Sequence, residues 1–199
     1  MAYSDFTLNK LEQKLGITQN LQTIFQPVSP KIMPSKHLLK DLHEAQTIPI
    51  FSEKAKSELI ITPILKELWR RNEGKFTFFS GFTFDVDIER SLNGICDYLL
   101  STATNSIEIK APVFCLVEAK NRAIEEGLGQ CAAEMYASRL YNKEFGLETN
   151  VIYGAVTNAF DWVFLKLENN TITIDTDRYF INDLSALLGV LQQIIDFYL

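Results

Sequence analysis

Two stretches decide the fold: LNGICDYLL at residues 92–100 and VFCLVEAKN at residues 113–121. Residues 111–119 are nearly all apolar, as expected of a strand buried on both faces. Asp97 interrupts the first run, and Glu118 and Lys120 close the second. Side chains alternate across a strand, so Glu118 and Lys120 point to the same face. Charged groups at the end of such a run are costly unless they are paired or lie at the sheet's margin. If the two strands are neighbours, Asp97 lies beside Glu118.

Working outward, residues 75–87 are rich in Phe, Thr and Val and read as a preceding strand, with Gly81 suggesting a bulge. A helix is expected before it, from Ser52 or Ser57 to Arg71, on the spacing of Leu59, Ile60, Ile64, Leu65 and Leu68. Pro63 lacks a backbone donor and should kink or restart that helix, and Gly74 should stop it. After the second stretch, Leu128, Cys131, Ala132, Met135, Tyr136 and Leu140 form one stripe of a helix over 128–143. Residues 151–157 then read as a strand, 162–167 and 171–175 as a hairpin, and 184–198 as an amphipathic helix. Residues 1–50 differ from the rest. Short helices at 7–15 and 35–45, the latter capped by Ser35, alternate with Pro27, Pro30, Pro34 and Pro49, and read as an N-terminal arm packed on a main domain over 51–199. The expectation is an α/β fold: a central mixed β-sheet flanked by helices.

The acids and the lysine suit phosphodiester hydrolysis. Two carboxylates can hold Mg²⁺ or Mn²⁺, which keeps several waters and takes the scissile phosphate as a further ligand. A lysine beside the ion stabilises developing negative charge or orients the attacking water.

With these residues in place, the run resembles the PD-(D/E)XK nuclease superfamily, whose core is a helix, three strands, a helix and a fourth strand. Asp97 is similar to the acid on the second core strand, and Glu118-Ala-Lys120 to the E-x-K on the third. Gln130, placed in the first turn of the following helix, resembles the glutamine of several members, and Glu58 an acid that some members use as an extra metal ligand. The strand at 153–158 and the run at 162–167 look like the strand and hairpin of restriction-enzyme-like relatives. The likeness spans residues 52–175. It departs in having Cys96 where a proline would precede the acid, and Glu134 where the helicase-linked branch has tyrosine. It implies a restriction-endonuclease-like core and a Mg²⁺-dependent endonuclease acting on DNA. Asp97, Glu118 and Glu58 would be metal ligands, Lys120 catalytic, and Gln130 an assistant.

Other polar residues carry blander readings. Glu58 near a helix start also suits the macrodipole, and Arg70 and Arg71 suit a last turn. Gln130 lies opposite its helix's apolar stripe, where solvation or capping is the alternative. Asp85, Asp87 and Glu89 read as a solvated edge, Arg139 and Lys143 as a solvated helix face, and Trp162 with its Phe neighbours as core. Asn121 and Arg122 stand where a phosphate would pass. His37 and His43 read as ordinary surface or packed residues.

Composition sets the outer limits. With 199 residues, 47% of them hydrophobic and 22% charged, a sizeable core is affordable and global disorder is not expected. The net charge of -6 argues against a protein that coats nucleic acid electrostatically, but not against one that grips phosphate through a metal. This charge keeps a second class open: the same fold as a non-catalytic module binding nucleic acid or a protein partner. A homodimer through the apolar C-terminal helix is compatible with either. Cys96, Cys115 and Cys131 show no zinc or disulfide spacing, and no signal peptide or membrane span is discerned, so a cytoplasmic protein with reduced thiols is expected.

Overall fold

The computed structural model describes residues 2–26, 30–121 and 123–199. Pro27 and Arg122 lie outside the described residues, as does the side chain of Cys115. After a 3-10 turn (Tyr3–Asp5), the first α-helices are α1 (Leu8–Leu15) and α2 (Lys36–Ala45). Ser35 caps α2 as its sequence predicts, its Oγ accepting from Leu38 N at 3.1 Å. Next come α3 (Glu53–Lys56), a π turn (Ser57–Ile61) and α4 (Thr62–Arg71), which form one continuous helical stretch. The π turn stands immediately before Pro63. Thr62 N donates to Ser57 O, a wider closure that accommodates the donor missing at Pro63.

Among the described residues, seven strands follow one path across the sheet: β1 (Thr18–Leu21), β7 (Thr171–Ile174), β6 (Asp161–Glu168), β5 (Val151–Thr157), β4 (Val113–Ala119), β3 (Ile95–Ser101) and β2 (Thr77–Thr83). A two-residue β8 (Tyr179–Phe180) pairs with β6. The β4–β5 and β1–β7 pairs are parallel and the rest antiparallel, so the sheet is mixed. The crossover between β4 and β5 is α5 (Glu125–Glu144), and α6 (Leu184–Tyr198) ends the chain.

Two apolar cores result. One joins α4 and α6 to the sheet through Ile64, Leu65, Leu68, Leu187, Leu188 and Leu191. The other joins α5 through Cys131, Ala132 and Met135. The N-terminal segment feeds both, with Tyr3, Phe6, Leu11 and Ile17 in the α5 core and Phe25 and Leu38 in the α6 core. The apolar stripe of α6 is thus buried within this chain, leaving Phe197 and Leu199 exposed. Cys96 and Cys131 are buried, as expected of structural thiols.

Three differences from the sequence expectation have clear causes. β1 was not foreseen because all four of its residues are exposed, so no apolar alternation marks it. The α5 helix starts at Glu125, which moves Gln130 out of the first turn. Phe160 is 43% exposed in the turn between β5 and β6, although its neighbours Trp162 and Phe164 are core as expected. Among the described residues, no helix is long and apolar enough to cross a membrane.

Candidate functional site

The site forms where β3 and β4 lie side by side. Tyr98 pairs with Val117, so one further step along this antiparallel ladder sets Asp97 opposite Glu118. Asp97 Oδ2 accepts from Ala119 N at 2.8 Å, which ties the acid to the backbone between Glu118 and Lys120. Lys120 N in turn donates to Thr157 O at 2.7 Å, continuing the β4–β5 register just past the strand's last residue. On the other side of β3, the pairs Ser80–Tyr98 and Phe82–Cys96 leave Gly81 facing Asp97. Gly81 has φ +68 and nothing within 4 Å of where a Cβ would be. The glycine bends β2 at that point and leaves Asp97 open to a cavity of about 300 Å³ that Glu53, Glu58, Ser80 and Tyr98 also line.

Glu118 is 2% exposed, and its Oε1 accepts from Lys120 Nζ at 2.6 Å. The same Nζ donates to Gln130 Oε1 at 3.0 Å, and Gln130 Nε2 donates to Glu134 Oε1 at 3.1 Å. Gln130 is therefore neither solvated nor a helix cap. It is buried, and with Glu134 and Ser138 it makes a polar stripe at four-residue intervals on α5. Glu134 is fully buried, a functional candidate the sequence reading noted only as a departure from a motif. Its polar type places it outward in any amphipathic reading, and only the approach of α5 to the sheet turns it inward. Gly127 permits that approach. A Cβ there would stand 2.6 Å from Val156 Cγ1 and 3.1 Å from Lys120 Cε and Cγ.

Charge crowding dominates the electrostatics. Burial, then the charge of Asp97, pushes the Glu118 carboxyl up to about 8, against the pull of Lys120. Burial raises Asp97 despite the Ala119 N–H and Lys120. Burial, then the charge of Glu118, raises Glu134 well above the ordinary carboxyl range. Burial would lower Lys120, but the charge and hydrogen bond of Glu118 outweigh it and hold the ammonium charged. Three carboxyls thus crowd one cation. Glu118 Oε2 and Glu134 Oε2 are buried without a hydrogen-bond partner. Such orphaned oxygens are uncommon and call for a proton or an ion.

The remaining predicted residues sit further out. Glu58 lines the same cavity as Asp97 but is 63% exposed in its side chain and pairs with Lys54 at 3.9 Å. Glu53 is the acid of that helical stretch whose charge reaches both Glu118 and Lys120, a role its position near a helix start did not reveal. Asn121 O accepts from Lys56 Nζ, which anchors the turn after Lys120 to α3. Arg139 is not on a freely solvated face: it stacks over Tyr136 at 5.1 Å and donates to Asn170. His37 pairs with Asp41 at 3.4 Å, apart from the acids of β3 and β4.

The oxygen donors here fit a hard divalent cation. Among the described residues no three His, Cys, Asp or Glu side chains converge into a ready-made ligand group. Two carboxylates are nonetheless what Mg²⁺ takes from a protein when it keeps its waters. The unpartnered Glu118 Oε2 beside Asp97 is an oxygen such an ion would engage. No protein-family model matches the chain, and no curated protein matches it.

Proposed function

We propose that this chain is a metal-dependent nuclease that hydrolyses phosphodiester bonds, with DNA as substrate and Mg²⁺ or Mn²⁺ as cofactor, on a restriction-endonuclease-like core. The observation that carries the reading is the convergence of Asp97, Glu118 and Lys120 at adjacent strand positions, with Glu118 Oε2 left without a partner. A structural ion pair would satisfy its oxygens. This cluster leaves a buried carboxyl oxygen without a donor beside Asp97, which faces a cavity open at Gly81.

Asp97 and Glu118 would hold the ion, with Glu58 and Glu53 on the wall of the cavity that Asp97 lines as the further acids that could reach it through water. The bound ion supplies polarisation of the phosphoryl oxygen and a lowered pKa for a coordinated water. Lys120 keeps its ammonium charged and is fixed by Glu118 and Gln130, so it offers a preorganised positive charge to the phosphate as negative charge grows on it. The strand backbone holds these groups rigidly because Ala119 N and Lys120 N are themselves bonded to Asp97 and Thr157.

The test is cleavage of labelled single- and double-stranded oligonucleotides with Mg²⁺ or Mn²⁺. Wild type should cleave and Lys120→Ala should not; equal background from both removes the proposal. The acidic net charge favours a second reading, a binding module whose site is incompletely functional. A thermal shift with mM Mn²⁺ that Asp97→Asn abolishes, without any cleavage, would select that second reading.

A further inference from the structure

We infer that Glu134 is a positioning residue: its carboxyl fixes the amide of Gln130, and through it the ammonium of Lys120. The inference deepens the proposed nuclease reading but rests on a hydrogen-bond chain that exists whatever the substrate. That chain runs Glu134 Oε1, Gln130 Nε2, Gln130 Oε1, Lys120 Nζ, Glu118 Oε1, with steps of 3.1, 3.0 and 2.6 Å between residues.

Only one amide orientation satisfies both neighbours. Lys120 has donors and no acceptor, so it requires the oxygen of Gln130. The nitrogen then points along α5, where Glu134 Oε1 meets it. A flipped amide would set N–H against ammonium and oxygen against carboxyl oxygen. Without an acceptor at position 134 the Gln130 Nε2 loses its hydrogen-bond partner. Glu134 is fully buried, so solvent does not replace it. The Glu134 carboxyl also meets the Cys96 thiol, which by itself needs no acid beside it. An apolar side chain buried at this position would carry no desolvation cost. The polar stripe on α5 is explained by what it holds.

The test uses Glu134→Leu, Glu134→Gln and Gln130→Leu in the full chain. Two readouts are taken. The first is steady-state cleavage. The second is the rate at which an amine-acylating reagent modifies Lys120 in the metal-free protein, read by peptide mass spectrometry. Glu134→Leu should lower kcat about 10–100-fold with KM nearly unchanged, and should speed Lys120 acylation several-fold. Glu134→Gln, which keeps an acceptor, should restore both toward wild type. Adding Glu134→Leu to Gln130→Leu should change neither readout further. Unchanged acylation in Glu134→Leu, failure of Glu134→Gln to restore it, or additive effects in the double variant would overturn the inference. If Glu134→Leu does not fold, Glu134→Met carries the same test. If wild type cleaves nothing while acylation follows the expected pattern, the nuclease reading falls and the positioning role stands.

Discussion

Glu67 and Glu118 are both 2% exposed, and they stand in opposite electrostatic states. Glu67 on α4 accepts from Ser35 N at 3.1 Å, Ser35 Oγ at 2.6 Å and Arg71 Nε at 2.8 Å. Burial alone would raise its carboxyl, but the bonds from Ser35 and Arg71 outweigh burial and hold it below the ordinary range. Glu118 has one donor, Lys120, an acidic neighbour in Asp97, and an oxygen with no partner. Its carboxyl is raised. A buried acid is therefore not by itself a sign of function. Glu67 is saturated by donors and clamps the N-terminal segment to α4, whereas Glu118 is left short of positive charge in a way that a cation would correct.

The largest contrast is expected in activity. Lys120→Ala should lower kcat for oligonucleotide cleavage by about 10²–10³-fold, while Glu67→Gln should leave cleavage per folded molecule unchanged. A strong loss in Glu67→Gln at full folding would break the distinction.

Stability should show the reverse. Glu67→Ala strands Ser35 and Arg71 and should cost about 3 kcal/mol, a fall in Tm of roughly 6–12 °C for a chain of this size. Calorimetry checks it, and a shift under 2 °C would deny Glu67 its clamping role.

The two acids should also oppose each other in pH dependence. Between its ordinary value near 4.5 and about 8, Glu118 keeps a proton in the folded chain that the unfolded chain has lost. Metal-free stability should therefore fall as pH rises through that window, by less than about 1.4 kcal/mol per pH unit. Glu67, lowered from 4.5, contributes stability above that value that is lost as pH falls through its folded value. Urea denaturation in chelator at pH 5, 6.5 and 8 should show a shallower decline for Glu118→Gln than for wild type. Parallel profiles would mean that Glu118 is ionised throughout.

The smallest effect should come from relieving the crowding. Asp97→Asn keeps an acceptor for Ala119 N but removes the charge facing Glu118. It should stabilise the metal-free protein by about 1 kcal/mol, or roughly 2–4 °C, and abolish the Mn²⁺-induced rise in Tm. A lower metal-free Tm would contradict the repulsion that sets Glu118 apart from Glu67.

Much of the frame was legible in the sequence. The strand over 151–157 is found at its expected bounds, and Pro63 marks the point where the helix widens into a π turn. The apolar runs and the two-residue period of a strand set Asp97 beside Glu118 on the condition that the two strands are neighbours, and the β3–β4 pairing meets that condition. The site's second layer was not legible. Gln130 was reached only through the resemblance, with solvation or capping as its alternative, and Glu134 only as a departure from a motif, because both are polar residues on a helix that is buried on most of its surface. Gly127 lies just before the helix bounds that the sequence suggests, and no local pattern marks it as the place where the Lys120 side chain packs closely against α5.

By itself the sequence determined the local periods: where most of the buried strands and helices lie, and that an acid and a lysine share one face at a strand end. Those facts follow from backbone geometry acting over a few residues. Only the tertiary structure decided which polar groups lose their water, because desolvation depends on how closely α5 lies on β4 and β5. It is this loss of water that separates Glu134 from an ordinary surface glutamate and Glu118 from the saturated Glu67.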